Sequence, residues 1–256
     1  MSSSVSSLAA LAIFAAAVAA GTINAVVGSG SLITFPTLLA LGYPPVIANV
    51  SNNIGVIPGN ITASFGYRAE LTGQRDRLLR LGAASFAGAL TGAIALLALP
   101  AGVFKLIVPV LIIAACLLVV LQPKLSAWVA GHNPDESDRI GPVLIAGVYL
   151  TGVYGGYFGA AQGVLLVGLL GVFLTDNLQR INAGKNVLVT IVNAVAALIF
   201  VIFAHVAWLA VALIAVGSGI GGLIGAKIGR RLSPLALRVI IVIIGVISAV
   251  KLIFFS

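Results

Sequence analysis

The chain has 256 residues, of which 61% are hydrophobic and 8% charged, and its mean hydropathy is +1.20. A soluble domain normally carries about a quarter of its residues as charges, so a water-facing globule of this size is excluded and the uncharged surface must face lipid. The net charge of +8 does not mark a nucleic-acid binder, because the basic residues sit in short loops between apolar segments, as the positive-inside rule requires.

Ser2 to Ser7 carries no positive charge, and the apolar run 8–27 is too long for the core of a cleaved leader. It is therefore read as the first span. A span needs roughly 20 apolar residues, and eight runs approach that length: 8–27, 46–66, 81–99, 106–122, 141–161, 186–204, 207–226 and 235–255. Two shorter apolar pieces, 31–42 and 163–175, cover little more than half the hydrocarbon thickness. Tyr43, Tyr67, Trp128 and Trp208 fall near segment ends, where an aromatic belt would hold them. The longest polar stretch, Gln122 to Ile140, contains Pro123, Gly131, Asn133, Pro134, Asp135, Glu136 and Asp138 and reads as a linker. The expected organisation is a first transmembrane repeat over 1–122, a polar linker over 123–140 and a second repeat over 141–256.

The repeat is visible in the asparagines. Asn49, Asn53 and Asn60 recur as Asn182, Asn186 and Asn193, with the same spacings of four and seven. Each triplet follows a glycine-rich stretch, Gly28-Ser29-Gly30-Ser31 in one half and Gly159-Ala160-Ala161-Gln162-Gly163 in the other. Basic residues decide the relative orientation of the halves. If only the eight long runs cross, the lysines and arginines split seven against seven. If both short pieces also return the chain, the stretches 68–80, 124–139, 180–185 and 227–238 share one side with twelve basic residues, leaving Lys105 and Lys251 opposite. Five passages per half is odd, so the second half is expected to be inverted, with both termini outside the cytoplasm. The expected fold class is an all-α polytopic membrane protein of two homologous inverted halves, with eight long transmembrane helices and two short broken or half helices.

Non-helical backbone at membrane depth must be buried in protein or line a cavity. Gly28, Gly30, Gly155, Gly156, Gly159 and Gly163 mark two such breaks. The short helix after each would present free N–H groups and partial positive charge to an anion, and two inverted breaks can meet near the midplane. The alternative is that these glycines only let helices pack closely. On a helix, offsets of 0, 4 and 11 return to nearly one face, so Asn49, Asn53 and Asn60 form a polar stripe matched by Asn182, Asn186 and Asn193. These amides either donate to an oxyanion or bond to the opened backbone. Asn52 and Lys185 occupy equivalent positions. Lys185 is either an electrostatic partner for an anion or an ordinary cytoplasmic loop lysine. Ser29, Ser31 and Gln162 are further solute-contacting candidates, and Asn24 is read as structural.

All six acidic residues, Glu70, Asp76, Asp135, Glu136, Asp138 and Asp176, lie in loops or at segment ends. A bare cation wants carboxylates or dense carbonyl coordination, so cation transport is disfavoured. His132 and His205 have no neighbouring ligand set, and Cys116 is a lone cysteine within an apolar run. No metal, cofactor, phosphate-binding loop or catalytic constellation is expected, and the chain does not read as an enzyme.

The stretch Ala20-Gly21-Thr22-Ile23-Asn24-Ala25-Val26-Val27-Gly28-Ser29-Gly30-Ser31-Leu32-Ile33-Thr34-Phe35-Pro36, followed by Ala48-Asn49-Val50-Ser51-Asn52-Asn53, resembles the TauE/SafE family of sulfite-exporter-like permeases. The second copy, Gly155-Gly156-Tyr157-Phe158-Gly159-Ala160-Ala161-Gln162-Gly163 followed by Asn182-Ala183-Gly184-Lys185-Asn186, extends the resemblance over nearly the whole chain. It implies movement of sulfur-containing anions such as sulfite, sulfoacetate and other organosulfonates. One departure is Gly28-Ser29-Gly30-Ser31, where the family often has a denser glycine run. The combined expectation is a multi-pass permease of the cell (inner) membrane that moves a small anion by alternating access. An anion channel and a non-transporting membrane subunit remain as alternatives, and a homo-oligomer stays open.

Overall fold

The computed structural model describes residues 6–131, 140–228, 239, 242–247 and 249–250. Among these, ordered structure is helical throughout, with no strand. Five helices are long and apolar enough to cross a membrane: α1 (Ser7–Val26), α5 (Arg75–Ala98), α6 (Ala101–Gly131), α9 (Leu178–Phe203) and α10 (Trp208–Ile228). Shorter helices are α2 (Ser31–Ala40), α3 (Pro45–Gly55), α4 (Ile57–Gly66), α7 (Pro142–Tyr157) and α8 (Gln162–Phe173). Large apolar side chains such as Leu8, Leu106, Leu198, Ile202 and Phe203 stand exposed on the periphery, as a lipid-facing surface requires.

Two expected runs differ. The run 46–66 is split at Val56 into α3 and α4. Pro58, at the start of α4, has no N–H to continue the ladder and its ring crowds the carbonyl four residues back. The first part of the expected linker, 123–131, continues α6 as helix. His132, Asn133, Pro134, Asp135, Glu136, Asp138 and Arg139 lie outside the described residues, as do Arg230, Arg231, Arg238, Lys251 and most of the run 235–255.

The two breaks are built alike. At the end of α1, the Val27 and Gly28 N–H groups both return to Ile23 O, at 2.7 and 3.2 Å, and Gly28 adopts φ +85°. At the end of α7, Phe158 and Gly159 return to Tyr154 O, at 2.9 and 3.1 Å, and Gly159 adopts φ +77°. A left-handed residue turns the chain out of each helix, a position that favours glycine. The short helices α2 and α8 begin directly after these turns.

Packing is reciprocal. α1 lies along α10 and α7 lies along α5, while α4 contacts α10 and α9 contacts α5. Gly217, Gly221 and Gly225 of α10, spaced by four, bring its backbone onto α1, and Gly88 and Gly92 of α5 do the same for α7. Small residues at a fixed helical spacing let backbones approach where no hydrophobic force separates helix from lipid. The asparagine-bearing helices α3, α4 and α9 occupy the centre between these pairs, with α3 and α4 both touching α9.

A candidate solute site where the helix breaks meet

The two breaks touch. Gly163 N–H donates to Gly28 O at 3.1 Å, and a Cβ placed on Gly28 would fall 2.5 Å from Gly163 Cα. Glycine at both positions is therefore a condition of the contact. The starts of α2 and α8 are thereby brought to one point, flanked by α3, α4 and α9.

The asparagines converge on this point mainly through backbone. Asn49 Nδ2 donates to Tyr157 O at the end of α7 (3.0 Å). Asn182 Nδ2 and Asn186 Nδ2 donate to Ala25 O at the end of α1, at 3.0 and 3.4 Å. Each half thus satisfies helix-end carbonyls of the other, groups that have no intrahelical partner. Asn53 Nδ2 donates to Asn193 Oδ1 at 3.2 Å, and Asn52 Oδ1 accepts from the Thr34 hydroxyl. Asn60 Oδ1 accepts from Asn24 Nδ2 at 3.1 Å, although Asn60 stands on α4, beyond the interruption at Val56. The stripe of the first half is therefore carried by two helices rather than one.

Several polar atoms at this point are buried without a partner: Ser29 Oγ, Asn53 Oδ1, Asn60 Nδ2, Asn182 Oδ1 and both amide atoms of Gln162. Buried polar groups are nearly always hydrogen-bonded, so this concentration makes the point a candidate solute site. Gln162 opens α8 and lies against Gly155, where a Cβ would collide with its carboxamide. Ser31 opens α2 and is only half-buried.

Lys185 is not a loop lysine. It sits within α9 at 1% exposure. Its Nζ donates to Asn24 O at 3.0 Å, and its Cδ would lie 3.3 Å from a Cβ on Gly28. Among the described residues no carboxylate pairs with it. Lys185 lies only seven residues into α9, so its position along the chain resembles a helix-start cation.

Asn24 is the residue that sequence reasoning undervalued. Its Oδ1 accepts the Gly30 N–H at 2.9 Å, its Nδ2 reaches Asn60 and its carbonyl accepts Lys185. The available signal was a lone amide in the last turn of an otherwise apolar α1. Tyr67 also departs from expectation. It caps α4 at 1% exposure and is no part of an interfacial belt, whereas Trp208 is exposed.

A polar clamp lies at one end of the molecule. Asp176, between α8 and α9, accepts from Arg77 of α5 and from Arg180 Nε (2.7 Å). Arg180 Nη1 also donates to Thr72 O at 3.0 Å, and Gln74 Nε2 to Arg180 O at 3.2 Å. Burial raises the Asp176 pKa, but the hydrogen bonds from Arg180 and Arg77 outweigh it and hold the carboxyl below its ordinary value. The clamp sets the α4–α5 connection and the start of α9 at the same end of the molecule.

The chain is similar to known proteins over most of its length. The family model described as sulfite exporter TauE/SafE matches residues 13–252. "Probable membrane transporter protein YfcA" of Escherichia coli (strain K12) is 29% identical over 246 residues, covering 95% of this chain and 89% of that protein. "Probable membrane transporter protein ORF9" of a Sinorhizobium species is 28% identical, covering 94% and 90%, and a "probable membrane transporter protein" of Haemophilus influenzae is 27% identical, covering 94% and 93%. No solved structure matches the chain. With long apolar helices, paired helix breaks and a family match spanning nearly its whole length, the chain is a multi-pass membrane protein that belongs to the sulfite exporter TauE/SafE family of membrane transporters.

Proposed function

We propose that the protein moves a small anion, a sulfur oxyanion such as sulfite or an organosulfonate, through a midplane site between the two breaks. The observation that carries this reading is Lys185, a buried amine with no carboxylate partner among the described residues, beside amides with unpartnered atoms near the junction of Gly28 and Gly163. A buried charge without a partner is costly, and a bound anion removes that cost. Hydrogen-bond donors from Asn60 and Gln162 act in the same direction; the first N–H groups of α8 are not free as expected, being taken by the Gly159, Gly28 and Ala161 carbonyls, so that helix start offers an anion only its dipole. The family description, sulfite exporter, favours sulfur oxyanions within that class.

Access alternates between the two sides. Ser29, Asn53, Asn60, Gln162, Asn182 and Lys185 are all buried, so packed elements must part before a solute reaches them. That favours a carrier over a permanently open channel. The halves, 1–122 and 141–256, are taken as inverted repeats. Three observations support this: the matching breaks, the reciprocal packing of α1 on α10 and α7 on α5, and the clamp that joins the basic stretches 68–80 and 176–180 at one end. An arrangement in which only the eight long runs cross would put those two stretches on opposite sides. With Lys185 moved from the loop into the membrane, the bias of basic residues becomes eleven against two, and the positive-inside rule still places the clamp in the cytoplasm.

Purified protein in liposomes tests the reading. Saturable counterflow of sulfite, isethionate or sulfoacetate is expected. Folded protein that carries none of these, and gains no thermal stability from any anion, would leave the reading without support.

A further inference from the structure

The two halves differ at one buried position, and the difference is a charge. Asn52 stands three residues after Asn49, and Lys185 stands three residues after Asn182. In the first half the position is neutral and satisfied, because Thr34 of α2 donates its hydroxyl to Asn52. Thr34 is the fourth residue of α2. The fourth residue of α8 is Leu165, which has no hydroxyl to offer. The second half therefore holds a lysine whose Nζ donates to one neutral carbonyl, Asn24 O, at 3.0 Å. An ammonium has three N–H donors. The carbonyls at the end of α1 are further occupied by Asn182 and Asn186, and that at the end of α7 by Asn49, so the negative helix ends are already answered by amides. Around the breaks, the described side chains with an unpartnered polar atom are Ser29, Asn53, Asn60, Tyr157, Gln162 and Asn182, all uncharged.

We infer that Lys185 sets the charge of the transported solute: the site takes monoanions and discriminates against dianions of the same size and shape. This rests on the anion-transport reading above. One ammonium neutralises one negative charge. A second charge on the guest would be buried among neutral amides, where an unpaired charge is strongly disfavoured. The preferred ligands are then sulfonates or sulfate esters bearing a single charge, and a second ionised group on the same molecule works against binding.

The experiment compares matched pairs on the full-length purified protein: isethionate against sulfoacetate, and methyl sulfate against sulfate. Equilibrium binding and counterflow in liposomes are both read at neutral pH. The monoanion of each pair is expected to bind roughly tenfold more tightly or better. In Lys185→Gln the monoanion should lose affinity by a similar factor while a neutral isostere, the sulfonamide of isethionate, should not, and Lys185→Arg keeps the wild-type pattern. A lysine with only a structural role would weaken the monoanion and the neutral isostere alike, which overturns the inference. Dianions binding wild-type protein as well as their partners also overturns it, while leaving anion transport intact. Absence of binding by all four anions to folded protein instead removes the anion-transport reading itself. Because the wild-type ratios decide on their own, the test survives even if Lys185→Gln fails to fold.

Discussion

Gly28 and Gly42 both adopt left-handed backbone, at φ +85° and +88°, but their surroundings differ. A Cβ on Gly42 would meet nothing within 4 Å, whereas one on Gly28 would strike the Gly163 backbone and approach Lys185. Gly42→Ala therefore isolates the conformational penalty, about 1 kcal/mol. Gly28→Ala adds the collision of the two breaks and should cost about 3 kcal/mol or more, with loss of transport. Thermal unfolding of both variants in one detergent checks this, and equal shifts would show that the breaks separate freely. Asn53→Ala and Asn186→Ala should each lower solute affinity by roughly tenfold in proteins that stay folded; normal transport by both would reduce the stripes to structural ties. These candidates were legible because amides at membrane depth are scarce and need partners. The roles of Asn24 and Lys185 were not legible, since Asn24 meets Asn60 across 36 residues and Lys185 across 161. Such partners exist only once the helices are assembled.

At the scale of elements, the breaks after α1 and α7 were readable from glycine, and the interruption between α3 and α4 was readable from Pro58 but was passed over within an apolar run. What no local pattern announces is the clamp, because Arg77 and Asp176 are distant in the chain. Its pH dependence follows from the depressed carboxyl of Asp176. A carboxylate with a lowered folded pKa contributes stability fully above its unfolded value, about 3.9, and loses that contribution as pH falls through the folded value. Apparent stability should thus be insensitive to this group from about pH 7 to about pH 5 and decline only in stronger acid. Asp176→Asn should remove the effect at every pH and lower stability by about 1–2 kcal/mol. In a double-mutant cycle with Arg180→Gln, a coupling near 1 kcal/mol is expected. Additive losses would mean the pair is spatially close yet energetically independent.

For the whole molecule, the strongest consequence of the proposed inverted halves concerns which connections share a side. The clamp joins residues 72–77 to residues 176–180, so the α4–α5 and α8–α9 connections belong together. The α2–α3 connection around Gly42 lies one crossing before residues 72–77, and the α9–α10 connection around His205 lies one crossing after residues 176–180, so both belong opposite. Thr72, Thr175, Gly42 and His205 are all exposed, so single cysteines at these sites in a Cys116→Ala background can report sidedness. A membrane-impermeant maleimide applied to intact cells should label Gly42→Cys and His205→Cys. Thr72→Cys and Thr175→Cys should react only after the membrane is opened, since the basic residues of the clamp place that end in the cytoplasm. If only the eight long runs crossed, Thr72 and His205 would share a side and Thr175 would oppose them. Labelling of Thr72→Cys and His205→Cys from the same side would therefore refute the proposed inverted repeat, and with it the reading of Gly28 and Gly163 as the meeting point of two oppositely directed half-helices that form the proposed anion site.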